Sequence, residues 1–426
     1  MLFLFVLLLS LTGMLKAQVT TAGMSGKVMA DEESVIGATV VAVHEPSGTS
    51  YGTVTNVDGR FSLQGMRSGG PYKVTVSYIG YQTAIYTGIQ LQLGETCSLN
   101  VTLHEASELL GEITITASKS KFSAEKTGAT TNISSEQLTT LPSINRSISD
   151  FTRISPYASG NSFGGRDGRS NTFTVDGANL NNNFGLSSGL PGGGNPISLD
   201  AIDEVQVVIA PYDVRQANFI GAGINAITKS GTNAYRGSAY MYFNNEVMRG
   251  NKIGDTDFGV RAEESKTVYG ATFGGPIIKD KLFFFANVEY EKSPQQVITW
   301  RAAKEGETPN NSTISRTTEA DLAEFSQILK DKYGYNTGSF TDFPADVTNL
   351  KLLGRIDWNI NQGNKLSVRY NFTNNKTWEA PNGSSGNTGY RLAYNRVSAY
   401  SMSYANSCYS LQNIVNSATA ELNSRF

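Results

Sequence analysis

The sequence predicts a mainly β chain: a small β-sandwich, then a mixed α/β domain, then an incomplete antiparallel transmembrane β-barrel. Three observations lead there. Composition is the first, since 43 Gly, 20 Tyr and 20 Phe beside only 17% charged residues favour aromatic-rich strands broken by turns over helices. The second is a set of long segments after residue 233 in which apolar and polar residues alternate, the period of a strand with two unlike faces. The third is an apolar leader with no later run of about 18 apolar residues, which excludes a helical membrane bundle. At about 150 residues per domain, the chain of 426 residues divides into roughly three domains.

Composition also excludes function classes. With 35 Lys+Arg against 37 Asp+Glu, no basic surface is available for the counterion release that drives nucleic-acid binding, so no nucleic-acid partner is expected. Two histidines (His44, His104) and two cysteines (Cys97, Cys408) are too few for a zinc cluster, a disulfide framework or a choice of His-based triads. Both histidines sit at strand ends and read as surface or capping residues. Neither a cofactor nor catalysis is expected.

Met1 to Leu11 is apolar except for Ser10. The run is shorter than the ~20 residues of a helical span, and it reads as a signal peptide, residues 1–17, cut between Ala17 and Gln18. No Lys or Arg precedes it, and Leu15 stands where a small residue is usual.

From Gly23 to Leu103, short strands alternate with turn signals, as in Thr39-Val40-Val41-Ala42-Val43, Arg60-Phe61-Ser62-Leu63 and Tyr72-Lys73-Val74-Thr75-Val76. Six or seven strands in this space make a small sandwich, residues 18–104, and Asp58-Gly59 reads as a tight hairpin. Gly26-Lys27-Val28, Ile36-Gly37-Ala38-Thr39-Val40, Thr53 to Phe61 and Val76-Ser77-Tyr78-Ile79-Gly80-Tyr81 resemble the carboxypeptidase-regulatory-like domain, which precedes the transporter proper in many Bacteroidetes outer-membrane receptors.

Residues 105–118 form a linker. Within it Glu112-Ile113-Thr114-Ile115-Thr116-Ala117 is β-branched and extended, suited to adding a strand to a partner's sheet edge, and equally to opening the next domain. It resembles the TonB box, the periplasmic segment of TonB-dependent receptors that the energy-coupling protein TonB grasps. The block 119–232 is rich in Gly, Asn and Ser but has apolar anchors: a helical spacing over Ile144 to Phe151, a strand into a turn over Asn171 to Gly177, and a strand over Ile202 to Val208. These pieces, with Ala222 to Gly231 closing them, resemble the plug domain of the same receptors. On that resemblance Asn181, Asn182, Asn183, Phe184 and Asn195 belong to plug loops that face substrate.

Three other readings fail in this block. Gly221-Ala222-Gly223-Ile224-Asn225-Ala226 runs into a strand where a dinucleotide fingerprint needs a helix, and Gly192-Gly193-Gly194 lacks the Lys-Ser/Thr of a phosphate loop. Asp200, Asp203 and Glu204 straddle a turn and a strand start, which reads as a solvated turn and not as an acid/base pair.

In the segment 233–426, Leu282, Phe284, Ala286, Val288 and Tyr290 share one face, opposite Asn287, Glu289 and Glu291. Leu352, Ile356, Trp358 and Ile360 likewise oppose Arg355, Asp357 and Asn359, and Lys365 to Thr373 repeats the pattern. Successive charges on one face suit a hydrated lumen, and the apolar face suits lipid, with Tyr290, Trp358 and Tyr370 as candidates for the interfacial aromatic girdle. Ile278 to Lys281 and Asn361 to Asn364 are tight turns, expected on the periplasmic side, while Ser293 to Asp346 is a long outer loop with helical spacing over Glu319 to Lys332. Gly274-Gly275-Pro276-Ile277-Ile278-Lys279-Asp280-Lys281-Leu282-Phe283-Phe284-Phe285 resembles the opening barrel hairpin of the Oar-like subgroup of TonB-dependent receptors.

The chain is therefore identified as a member of that subgroup. The resemblance implies a Gram-negative outer membrane, with the first domain and the TonB box in the periplasm, and as partners TonB, outer-membrane lipid and an extracellular substrate whose identity the sequence does not give. About seven barrel strands are readable before Phe426, against about 22 in plugged transporters, so a truncated chain that does not transport by itself is expected. The competing reading is a secreted or surface β-rich adhesin or carbohydrate-binding module.

Overall fold

The computed structural model describes residues 19–30, 32–105, 113–116, 129–143, 146–181, 195–211, 216–217, 219–257, 264–294, 298, 300–310, 313–379, 384–385, 391–392 and 400–424. The expected signal peptide with its Ala17/Gln18 cut, together with Glu112, Ala117, Asn182, Asn183 and Phe184, lies outside the described residues.

Alternating apolar residues build the N-terminal domain as two facing sheets. In the first, β1 (Ala22–Ala30) pairs with four further strands, the two-residue Glu33–Ser34, β4 (Arg60–Met66), β7 (Thr96–Ser98) and β8 (Val101–Leu103); Glu33–Ser34 and β4 run antiparallel to it and the other two parallel. The second contains β2 (Thr39–His44), β3 (Thr49–Val54), β5 (Gly69–Ser77), β6 (Ala84–Leu91) and β9 (Ile113–Thr116), in the order β9-β6-β5-β2-β3. Val40 and Ala42 of β2, Phe61 and Leu63 of β4, and Val74 and Val76 of β5 point into one core with Met24, Val28 and Tyr72.

Two local expectations change here. Asp58-Gly59 makes a tight turn but not a hairpin, because β3 and β4 belong to different sheets and the turn carries the chain between them. Asn56 Oδ1 accepts from the Asp58 and Arg60 amides, and Gly59, at φ +70°, lies so close to Val28 that a Cβ would meet its carbonyl oxygen at 2.6 Å. His44 is buried, not a surface residue. Its Nδ1 lies 2.7 Å from Ser47 Oγ, its ring packs on Tyr72, and burial, reinforced by the Arg67 charge, pushes its pKa down to about 3.

The middle domain is a mixed sheet carrying two short helices. Its strands are β10 (Thr130–Ser134), β11 (Thr172–Val175), β12 (Ala178–Asn179), β13 (Ile202–Val208) and β14 (Gly223–Thr228), in the order β10-β13-β14-β11-β12, with β11 and β14 parallel. Helices α1 (Ser135–Thr140) and α2 (Ile148–Thr152) begin at the capping residues Ser134 and Ser147. Of the expected helical spacing over Ile144 to Phe151, Ile144 and Asn145 lie outside the described residues, and Ile148 to Phe151 fall in α2, which starts at Ile148 behind a Ser147/Asp150 capping box. Ile148 and Phe151 pack against Phe173, Val205 and Val207.

After residue 233 the chain forms one antiparallel meander. Its strands are β15 (Arg236–Asn245), β16 (Ser265–Ile278), β17 (Leu282–Lys292), β18 (Thr348–Asn359), β19 (Asn364–Glu379) and β20 (Tyr409–Ser424), each paired with the next. That is six strands among the described residues, one fewer than the sequence suggested. Both tight turns form where expected, and α3 (Glu319–Tyr333) folds within the long loop behind a Thr318/Asp321 capping box. Of its apolar stripe Leu322 is buried, while Phe325 and Ile328 are exposed.

The register sorts the faces. Val288, Tyr290, Leu352, Ile356, Trp358, Val368 and Tyr370 are exposed on one side; Asn287, Glu289, Arg355, Asp357, Arg369 and Asn371 are buried on the other. The charged face does not line a hydrated lumen along these strands, because the middle domain fills it: Phe285 and Leu353 join the middle domain's apolar core. The register sets two of the three girdle candidates toward the strand ends. Trp358 faces Leu282 at the end with the tight turns, and Tyr290 faces Leu350 at the opposite end. Tyr370 instead sits midway, opposite Gly354, where its hydroxyl donates to Asn416 Oδ1 at 2.8 Å.

Candidate functional site

The site lies where the middle domain meets the buried face of the long-stranded sheet. Asp176 follows β11 in a turn, at φ +47°, a conformation that Asp tolerates better than most residues. Its carboxylate accepts from the Thr228 amide at 3.0 Å and the Thr228 hydroxyl at 2.6 Å, which ties β11 to the end of β14. Two guanidinium groups from the sheet converge on it, Arg355 at 3.8 Å and Arg369 at 3.7 Å. Arg355 also donates to the Thr228 carbonyl at 2.6 Å and forks onto Asp357 at 2.8 and 3.0 Å; Arg369 reaches Glu421 at 2.9 Å, and Ser367 donates to Asp357 at 2.6 Å. Arg67 of the N-terminal domain, 3.5 Å from Asp357, completes a set in which three arginines balance three carboxylates. Buried charge is tolerable only when paired in this way.

A second polar cluster sits further from the tight turns. Lys351 Nζ lies 2.8 Å from Glu289, whose other oxygen accepts from Ser198 Oγ and Tyr240 OH, each at 2.8 Å. Beside it Thr373 donates to the Pro196 carbonyl at 2.7 Å, and Asn349 donates to the Asn195 carbonyl at 3.5 Å. Arg146 pairs with Asp200, and its guanidinium stacks 3.8 Å above the Tyr242 ring. Beside the apolar contacts of Phe285 and Leu353, the arrangement grips a separate domain through charge and hydrogen bonds, so this polar part of the grip loosens when a charge is removed or displaced.

The expected residues distribute unevenly over this geometry. Asn195 is buried at the interface, and Asn181 folds back on its own domain, accepting from the Phe173 amide at 2.6 Å. The carboxylates read as a solvated turn are something else. Asp200 is the partner of Arg146, and Glu204 is buried, its two oxygens each 3.1 Å from the Leu93 amide of the N-terminal domain. Burial pushes the Glu204 carboxyl up to about 8 against the pull of the Leu93 amide, and burial raises Asp203 beside it. Sequence reasoning missed Asp176 as a charge partner and Leu93 altogether. The available signal was parity, since Arg355 and Arg369 stand on the charged face of adjacent strands and so require a carboxylate from whatever covers them.

Of the TonB-box-like segment, Ile113–Thr116 is described: it pairs parallel with β6, Ile113 opposite Ala84 and Thr116 opposite Thr87, and forms the edge of the second sheet. It therefore presents one main-chain edge to a further strand.

Comparison with known proteins agrees with this architecture. Residues 23–104 match the carboxypeptidase regulatory-like domain, and residues 227–425 match an outer membrane beta barrel domain. The TonB-dependent transporter Oar of Myxococcus xanthus is 25% identical over 344 residues, covering 76% of this chain and 30% of that protein. Among solved structures, the outer membrane transporter YddB of Escherichia coli is 13% identical with a TM-score of 0.43, covering 70% of this chain and 37% of its own. The siderophore receptor PirA of Acinetobacter baumannii is 18% identical with a TM-score of 0.37, covering 70% and 45%. The chain thus spans less than a third of the length of its relative Oar. It joins a segment matching a carboxypeptidase regulatory-like domain to one matching an outer membrane beta barrel domain, which places it in the outer membrane, and it is similar over most of its length to a TonB-dependent transporter.

Proposed function

We propose that the chain serves TonB-dependent uptake of an extracellular substrate, with the middle domain as plug. TonB grasps Glu112 to Ala117 from the periplasm, and the plug is drawn from its place against the sheet to admit substrate. The observation that carries this reading is the edge position of Ile113–Thr116, four residues held by main-chain pairing on one side and, among the described residues, open on the other to a second strand by β-augmentation. The grip on Asp176 fits the same reading, as a plug must be held firmly and still be releasable. Asn182, Asn183 and Phe184 are the proposed substrate-facing residues. Asn181 and Asn195 flank their loop and serve to anchor it, since both are engaged within the protein.

Ile115→Pro tests the coupling, because proline removes a ladder donor. In receptor assembled in outer-membrane vesicles, crosslinking to TonB is expected to fall to background while the sheet remains protease-resistant. Crosslinking at the parent level would remove this segment as the TonB contact, and loss of assembly would make it a structural strand.

A further inference from the structure

The regulatory-like domain is packed against the rest of the chain along two lines of contact. At the plug, the loop after β6 enters a polar slot: the Leu93 amide donates to Glu204, and the Leu93 carbonyl accepts from Gln206 Nε2 and from Asn132 Nδ2. The Leu93 side chain is fully buried with Val19 and Ile227, and Thr130 donates to Glu95 at 3.2 Å. At the rim of the long-stranded sheet, Arg67 meets Asp357, Asn359 donates to Thr49 at 3.0 Å, and Thr20 donates to Glu421 at 2.7 Å. Lys365 lies 3.1 Å above the Tyr51 ring and donates to the Ser50 carbonyl, and the Asn233 amide donates to the Pro46 carbonyl. Gly48 passes so near the tight turn that a Cβ would meet Asp280 Oδ1 at 2.1 Å.

These contacts have a common geometry. Glu204 and Gln206 belong to β13, the strand between β10 and β14 in the plug sheet, so the Leu93 loop grips the plug by an interior strand. Arg67 and Lys365 fix the same domain to the sheet that the plug must leave. One rigid domain therefore spans both bodies.

We infer that this face of the regulatory-like domain is an intramolecular docking surface, whose partner is the chain's own plug and barrel rim, and that docking holds the plug closed from the periplasmic side. Release of the Leu93 loop precedes plug movement. The inference does not depend on which segment TonB takes.

The test uses the intact receptor in outer-membrane vesicles, with Cys97→Ser and Cys408→Ser in the background. Glu95→Cys with Thr130→Cys reports docking through a short bis-maleimide, and amide exchange over Ile202–Val208 reports the plug. Leu93→Asp sets a carboxylate into the buried apolar contact with Val19 and Ile227. The expected result is efficient crosslinking in the parent, at least tenfold less with Leu93→Asp, and exchange over β13 at least tenfold faster. Lys365→Glu, which breaks the far rim and leaves Leu93 intact, is expected to move both readings in the same direction and covers the case in which Leu93→Asp does not accumulate. Absence of crosslinking in the parent would overturn the docking, and loss of crosslinking with unchanged β13 exchange would overturn its hold on the plug.

Discussion

At the scale of single residues, the account rests on charges that are buried and shared. Asp176 carries hydrogen bonds from Thr228 and faces two arginines. Asp176→Asn keeps a side chain that tolerates the left-handed backbone, removes the charge, and turns one of the two acceptor oxygens into an NH2 donor. Hydrogen bonds to charged groups contribute roughly 1.5–3 kcal/mol, and Arg355 and Arg369 keep Asp357 and Glu421 as partners. The plug's hold is therefore expected to weaken by about 2 kcal/mol, read as a lower urea midpoint for protease cleavage of the plug in an otherwise assembled receptor. Glu204 gives a pH dependence of definite sign. Its carboxyl is raised from 4.5 to about 8 in the docked structure, by burial first, opposed by the Leu93 amide and reinforced by Asp203 and Glu95. A raised carboxyl favours the neutral form, so the contribution to docking is complete below about pH 4.5 and is lost as pH rises through about 8. Asp203 moves in the same direction, with Arg355, Lys229 and Arg67 opposing. Energy transfer between fluorophores attached beforehand at positions 95 and 130 should report more of the docked form at pH 6 than at pH 9, and Glu204→Gln should flatten that difference.

At the scale of elements, legibility followed periodicity. Strands β17, β18 and β19 were readable because each keeps one apolar face over its length, and α3 was readable from its apolar spacing behind Thr318. Its capping box is expected to contribute about 1 kcal/mol; Thr318→Ala should speed amide exchange in the first turn of α3 several-fold and leave β17 and β18 unchanged, and equal exchange would deny the cap its role. What stayed hidden were pairings between distant segments. Nothing local in Asn56 to Gly59 tells whether the turn returns to the same sheet or crosses to the other. The segment Ile113–Thr116 read equally well as a free box or a first strand, and its parallel seat on β6 belongs to neither reading alone. Glu204 looked solvated because the sequence does not show that a loop 111 residues earlier covers it.

At the scale of the whole molecule, the tight turns and the regulatory-like domain lie at one end of the long-stranded sheet, the middle domain fills its buried face, and apolar side chains cover the other. A soluble adhesin or glycan-binding module would have to leave Val288, Ile356, Val368 and Leu422 in water, all more than a third exposed on one continuous face, and a contiguous patch of that kind marks a lipid or protein contact. The central claim is that this face meets lipid while its opposite holds the plug. A scan of single cysteines carrying an environment-sensitive fluorophore, read in outer-membrane vesicles with a lipid-confined quencher, tests it most directly. Labels at Val288, Ile356 and Val368 should be quenched strongly and labels at Asn287, Asp357 and Arg369 should not, giving a period of two along each strand. Uniform quenching, no quenching, or the opposite parity would contradict the account.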